Sequence, residues 1–91
     1  MKKYELMCIF NTEEKTIEEH LNFINENFSG NKVNVVETKE MGKRELAYPI
    51  KEISHGHYYL YQLEMEQKNL PELEKSFKLY KGLLRYFMLR K

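Results

Sequence analysis

The chain has no aspartate and no tryptophan, a single cysteine, two prolines and four scattered glycines. Each shortage excludes a kind of chemistry. With Cys8 alone, neither an internal disulfide nor a multi-thiolate zinc site can form. Cys8 also falls inside a predicted strand on the same face as Leu6 and Phe10, where a thiol packs and does not react. Without aspartate, an acid–base carboxylate pair must come from glutamates, half of which fall in predicted helices. The glycines build no phosphate-cradling loop and no nucleophile elbow around Ser29, Ser54 or Ser76. His55 and His57 flank Gly56 in a predicted loop and lack a third ligand, so no metal and no cofactor is expected. The apolar runs are far too short to span a membrane. No apolar stretch follows Met1-Lys2-Lys3-Tyr4-Glu5, so no secretory signal is expected.

What remains is an ordinary folding composition. Hydrophobic residues make up 42% and charged residues 32% of the 91 positions, which argues against disorder and predicts one domain over residues 1–91. The net charge of +1 removes any bulk electrostatic argument for nucleic acid. Its distribution is uneven. Residues 78 to 91 carry Lys78, Lys81, Arg85, Arg90 and Lys91 without an acid, whereas residues 13 to 26 carry five glutamates against Lys15.

Periodicity predicts six elements. Tyr4, Leu6, Cys8 and Phe10 alternate with Glu5, Met7 and Ile9, the pattern of a central strand. Asn11-Thr12-Glu13-Glu14 reads as a helix start capped by Thr12 or Asn11. Ile17, Leu21, Ile24 and Phe28 then form one helical face, with His20 at its boundary and Gly30 as the left-handed cap. A second strand runs from Val33 to Ile50 with a bulge at Met41-Gly42. Residues 51 to 56 read as a hairpin loop, and His57 to Glu66 as a third strand with Tyr59, Tyr61, Leu63 and Met65 on one face. Asn69 caps a second helix whose face is Leu70, Leu73, Phe77 and Tyr80, and Gly82 ends it. Leu84 to Arg90 is the last strand, with Tyr86 and Met88 opposed to Phe87 and Leu89.

This order predicts an α+β fold of the ferredoxin-like, split βαβ kind: a four-stranded antiparallel sheet with two helices on one face, strands one and three central. Pro49 cannot donate to a ladder, which fits an edge position for the second strand. The face away from the helices then carries Met7, Ile9, Tyr58, Leu60, Phe87 and Leu89, an apolar set that predicts a partner-binding surface. Base stacking on the central strands is poorly provided, because strand one offers Glu5, Met7 and Ile9 beside Tyr58. Antiparallel pairing of the first and last strands brings Lys2 and Lys3 close to Arg90 and Lys91, and Lys43 and Arg44 form a second cationic group on the edge strand. Such cations contact phosphates without reading sequence.

Gly42-Lys43-Arg44-Glu45-Leu46-Ala47-Tyr48-Pro49-Ile50 closely resembles the signature of the family of protein six of the bacterial small ribosomal subunit. The resemblance extends to Lys2-Lys3-Tyr4-Glu5 and Tyr61-Gln62-Leu63-Glu64-Met65, and so to nearly the whole chain. It implies the same fold, and a structural role without turnover rather than an enzyme. It also implies binding to the central domain, or platform, of small-subunit ribosomal RNA together with ribosomal protein eighteen, on the ribosome in the cytoplasm. Neither a membrane nor a small-molecule substrate is implied. The matching motifs carry an RNA-binding role onto Lys2, Lys3, Lys43, Arg44 and Tyr48, and Arg85 and Arg90 match basic positions of the last strand; Lys91 joins them by its place beside Lys3. Glu45 departs from the pattern, where another cation would fit. Two other readings stay open from the residues. One is a protein-only adaptor using the apolar face. The other is an acylphosphatase-like enzyme, disfavoured because the segment after strand one is acidic and lacks arginine.

Overall fold

The structure is a computed structural model describing residues 1–13, 15–50 and 52–91. Alternating apolar residues give β1 (Lys2–Phe10), and a helical stripe gives α1 (Ile17–Gly30). A long hairpin follows, β2 (Asn34–Ile50) and β3 (Ile53–Met65). A 3-10 turn at Gln67–Asn69 leads into α2 (Leu70–Leu79), and β4 (Leu83–Arg90) closes the sheet. The sheet order is β2-β3-β1-β4 with every neighbouring pair antiparallel. The ferredoxin-like expectation holds, with β1 and β3 central.

The core lies between one sheet face and the helices. Tyr4, Leu6, Cys8 and Phe10 of β1 meet Tyr59, Tyr61, Leu63 and Met65 of β3, and Ile24, Phe28, Leu73 and Phe77 cover them from the helices. Each buried side chain of this size contributes roughly 1.5–3 kcal/mol. Phe28 sets its edge against Tyr61 at 5.2 Å between ring centres. Burial pushes the Cys8 thiol far up, so the thiolate does not form.

Several local expectations are corrected. The first helix starts at Ile17, and Thr16 is its cap, its hydroxyl accepting from the Glu19 N–H at 3.3 Å. Asn11 instead forms a local turn, accepting from the Glu13 N–H at 2.9 Å, and delays the helix. Glu14, also assigned to the helix start, lies outside the described residues. Gly30 ends α1 without a positive φ; Lys32, at φ 56°, takes the left-handed conformation. Asn69 precedes α2 but makes no capping hydrogen bond, and α2 ends at Leu79, before Gly82. β3 begins at Ile53, so His55 and His57 lie in a strand, two residues apart and on one face. Lys51, the first residue of the expected loop, lies outside the described residues.

His20 is 1% exposed, not a boundary residue. Its Nε2 bonds the Asn11 carbonyl and its Nδ1 the Tyr80 hydroxyl, the latter at 2.6 Å. Nε2 therefore donates and Nδ1 accepts, which is the neutral imidazole. Its ring stacks on Phe10. A side chain on Gly82 would collide with it, since a Cβ there falls 2.6 Å from His20 Nδ1. The glycine is needed for this close approach and not for a helix cap.

Candidate nucleic-acid and partner interface

β2 and β3 outrun the rest of the sheet. β1 stops pairing with β3 at Phe10–His57, while the hairpin continues through Arg44–Gly56, Glu45–His55 and Ile50–Ile53. The molecule is 37 Å long against 21 and 19 Å in its other dimensions. Gly42, at φ 84°, sits at the register shift between Glu40 and Gly42, where the bulge was expected. Lys43 and Arg44 follow it, both exposed, and strand alternation sends them to opposite faces. The Arg44 Nε–H donates to the Met41 carbonyl at 3.3 Å, and its guanidinium lies 6.0 Å from the centre of the Tyr58 ring. Glu45 pairs with His55 on the face that Lys43 occupies.

Leu46 and Tyr48 part company within the signature. The register shifts again between Glu45 and Ile50, so the intervening residues leave the ladder. Tyr48 is 82% exposed, whereas Leu46 is buried. Leu46 folds over the base of the arm toward Gly56 and Ile9: a Cβ on Gly56 would collide with the Ile9 side chain and come 3.6 Å from Leu46 and 3.7 Å from Leu84. Ile9, placed on the exposed partner face by parity, is in fact 5% exposed beneath this cluster. The residues around it come from the irregular end of β2 and from β4, which parity within β1 does not register.

The rest of the apolar set is where alternation put it. Met7 is flanked by Leu60 on β3 and Phe87 on β4. Tyr58 lies one row toward the arm, and Leu89 one row away from it. Phe87 and Leu89 are 52% and 61% exposed, while Met7, Tyr58 and Leu60 are half-buried. Lys39, opposite Leu60, adds a cation that sequence reading did not single out, because a bulge precedes it and hides its parity. Arg85, opposite Ile9, borders the strip on the β4 side. In the row of Leu89 the Gln62 amide donates to Glu5 at 2.8 Å, and one row further the Asn34 amide donates to Glu64 at 3.1 Å.

The termini meet as expected. Tyr4 pairs with Arg90, and the Lys91 N–H donates to the Lys3 carbonyl at 2.9 Å. Lys2, Lys3, Arg90 and Lys91 are all exposed. Alternation puts Lys3 and Lys91 on the open face, where they line a hollow of about 240 Å3 with Val36, Gln62 and Glu64. Lys91 stands 4.0 Å from Glu5, a loose contact. Arg90, on the helix side, reaches Gln67 at 3.4 Å.

On the helix side of the arm, Glu40 accepts from His57 Nε2 at 2.8 Å and from the Tyr59 hydroxyl at 3.0 Å. These two bonds hold the Glu40 carboxyl below its usual range, His57 contributing most. Sequence reading missed this group, whose partners lie 17 and 19 residues from Glu40. Among the described residues no three metal-ligating side chains converge, and no helix is long and apolar enough to cross a membrane.

The open face thus carries an apolar strip with exposed cations at either end. Residues 3–90 match the family model described as Ribosomal protein S6. The small ribosomal subunit protein bS6 of Dictyoglomus turgidum is 38% identical over 97% of this chain and 93% of its own length. That of Treponema denticola is 32% identical over 99% of this chain and 97% of its own length. The crystal structure of 30S ribosomal protein S6 from Thermotoga maritima superposes with a TM-score of 0.89 at 25% identity, covering 99% of this chain and 87% of that one. These relatives are structural proteins and not enzymes. By the match along its length and by its fold, the chain belongs to the ribosomal protein S6 family of the bacterial small ribosomal subunit.

Proposed function

We propose that this chain binds the central domain of small-subunit ribosomal RNA, in the platform region, jointly with ribosomal protein eighteen, as an assembly protein on cytoplasmic ribosomes. One observation carries the reading: an apolar strip on an uncovered sheet face lies between two exposed cationic groups. Met7, Tyr58, Leu60, Phe87 and Leu89 take the protein partner. Lys43 and Arg44, with Tyr48 beyond them, take RNA on the arm; Lys2, Lys3, Arg90 and Lys91 take it at the opposite end, and Arg85 at the strip's border. With a net charge of +1, the isolated chain has little long-range attraction for RNA, so the partner must complete the surface.

The test is binding of a platform-domain RNA fragment with and without protein eighteen. The expected result is strong binding only when both proteins are present, with a salt slope that reports the phosphates contacted. Tight binding by this chain alone, unchanged by the partner, overturns the joint mechanism.

A further inference from the structure

A sheet of four strands has two outer edges, and the β4 edge is open in a way that the β2 edge is not. β4 contains no proline, glycine or acid, and its register with β1 shifts only at its start, between Ile9 and Phe10. The Lys91 N–H to Lys3 carbonyl bond marks that residue pair as hydrogen-bonded. Antiparallel alternation then turns the backbone groups of Arg85, Phe87 and Leu89 inward to β1, and those of Tyr86, Met88 and Arg90 outward. Three alternate residues thus present N–H and C=O groups along an unblocked edge, which is a template for another strand.

The surroundings specify the kind of strand. On the open face, Phe87 and Leu89 have no strand on their outer side among the described residues. On the helix side, a hollow of about 380 Å3 is floored by Phe77, Tyr80 and Tyr86 and rimmed by Lys78 and Lys81. Glu74, the carboxylate beside it, accepts from the Tyr86 hydroxyl at 3.2 Å. We propose that the β4 edge accepts a fifth strand from a partner protein, an extended segment with apolar side chains beside Phe87 and Leu89 and carboxylates on the alternate positions over Lys78 and Lys81. A second copy of this chain is a poor occupant. Pairing β4 with β4 about Met88 opposes Arg85 to Lys91 of the second copy at both ends, and the β2 edge of a second copy is bulged and carries Pro49. RNA would satisfy the cations but leave the outward backbone groups without a ladder. The inference is independent of which protein covers the sheet face.

The probe is a synthetic peptide of alternating valine and glutamate, added to the isotopically labelled protein and followed by amide spectra and hydrogen exchange. Shifts and slowed exchange are expected at the Tyr86, Met88 and Arg90 amides, with β2 amides unchanged. The same peptide with lysine for glutamate should bind about tenfold more weakly, because like charges then face each other across strands. The double variant Lys78→Glu, Lys81→Glu should reverse that preference while melting as the wild type does. The proposal is overturned by perturbation of β2 instead, by equal binding of the two peptides, or by no β4 response at millimolar peptide. It is also overturned if an oligouridine slows exchange at the same three amides, which makes the edge an RNA surface.

Discussion

β2 and β4 bound the same sheet, yet they handle an exposed edge in opposite ways. β2 is long, shifts register three times and carries Glu37, Lys39, Glu40, Lys43, Arg44 and Glu45 before Pro49. Mixed charge, bulges and proline are the usual means of keeping a strand edge from recruiting another strand. They also send Lys43, Arg44 and Tyr48 out along an arm, where single side chains make contacts. β4 is short and regular and leaves Phe87 and Leu89 exposed. One edge therefore suits phosphate contacts made by side chains, and the other suits a protein surface made of a continuous strip.

The sharpest way to break this comparison is a matched pair of substitutions. Phe87→Asp on β4 should lower affinity for protein eighteen about a hundredfold, since a charge at the centre of an apolar contact acts as a hot-spot loss. Val36→Asp, exposed on β2, should change it by less than about threefold. Calorimetry on both variants decides; equal effects would erase the distinction between the edges. Next in size is Gly56→Val, which forces a side chain into the space held by Ile9, Leu46 and Leu84. It should cost about 1–3 kcal/mol in thermal unfolding, with the arm amides losing exchange protection before those of β4.

How far these residues were legible beforehand follows from the range of the signals. Alternation within β1 and β3 placed Leu6 and Tyr61 on their faces, because strand parity is a property of consecutive residues; in β4 it separated Met88 from Phe87 and Leu89, but with both sets apolar it did not say which one the helices cover. Pro49 and Gly42 likewise announced an edge and a bulge through their own backbone limits. Ile9 and His20 were misplaced because what buries them is remote: Leu46 and Leu84 for the one, and Tyr80, 60 residues away, for the other. The helix start was missed for a local reason. Asn11 and Thr16 both suit a cap, and only the Asn11 turn decides between them.

Smaller effects sharpen the picture. Replacing Lys43 and Arg44 together by alanine should reduce the salt slope of RNA binding by about 2, with stability changed by less than about 0.5 kcal/mol. Unchanged slope and affinity would remove the arm from the RNA site. Acid should act first at the start of β4. Burial holds the His20 imidazole below its usual value, so the unfolded chain takes up this proton before the folded one. The resulting stability is complete above the ordinary imidazole value of about 6.5 and is lost as pH falls through the folded value. Exchange at the Leu83 and Leu84 amides should therefore rise on acidification ahead of that in β2, and His20→Gln should flatten the response. The smallest expected change is Tyr61→Phe. The Tyr61 hydroxyl is buried with no hydrogen-bond partner among the described residues, so its removal should leave stability equal or raise it by about 0.5 kcal/mol in denaturant titration.

The contact between His20 and Gly82 reaches beyond this one molecule. An imidazole fills the room that any side chain at position 82 would occupy, so the two sites are not free to vary separately. A lineage that acquires even alanine at 82 must first shrink or swing away the residue at 20, and then find other partners for the Tyr80 hydroxyl and the Asn11 carbonyl. Loss of the histidine, conversely, removes only part of the restriction, because the Tyr80 ring still lies 2.7 Å from where a side chain at 82 would begin. Drift at one position sets which changes the other can survive, and the order of substitutions matters as much as their identity.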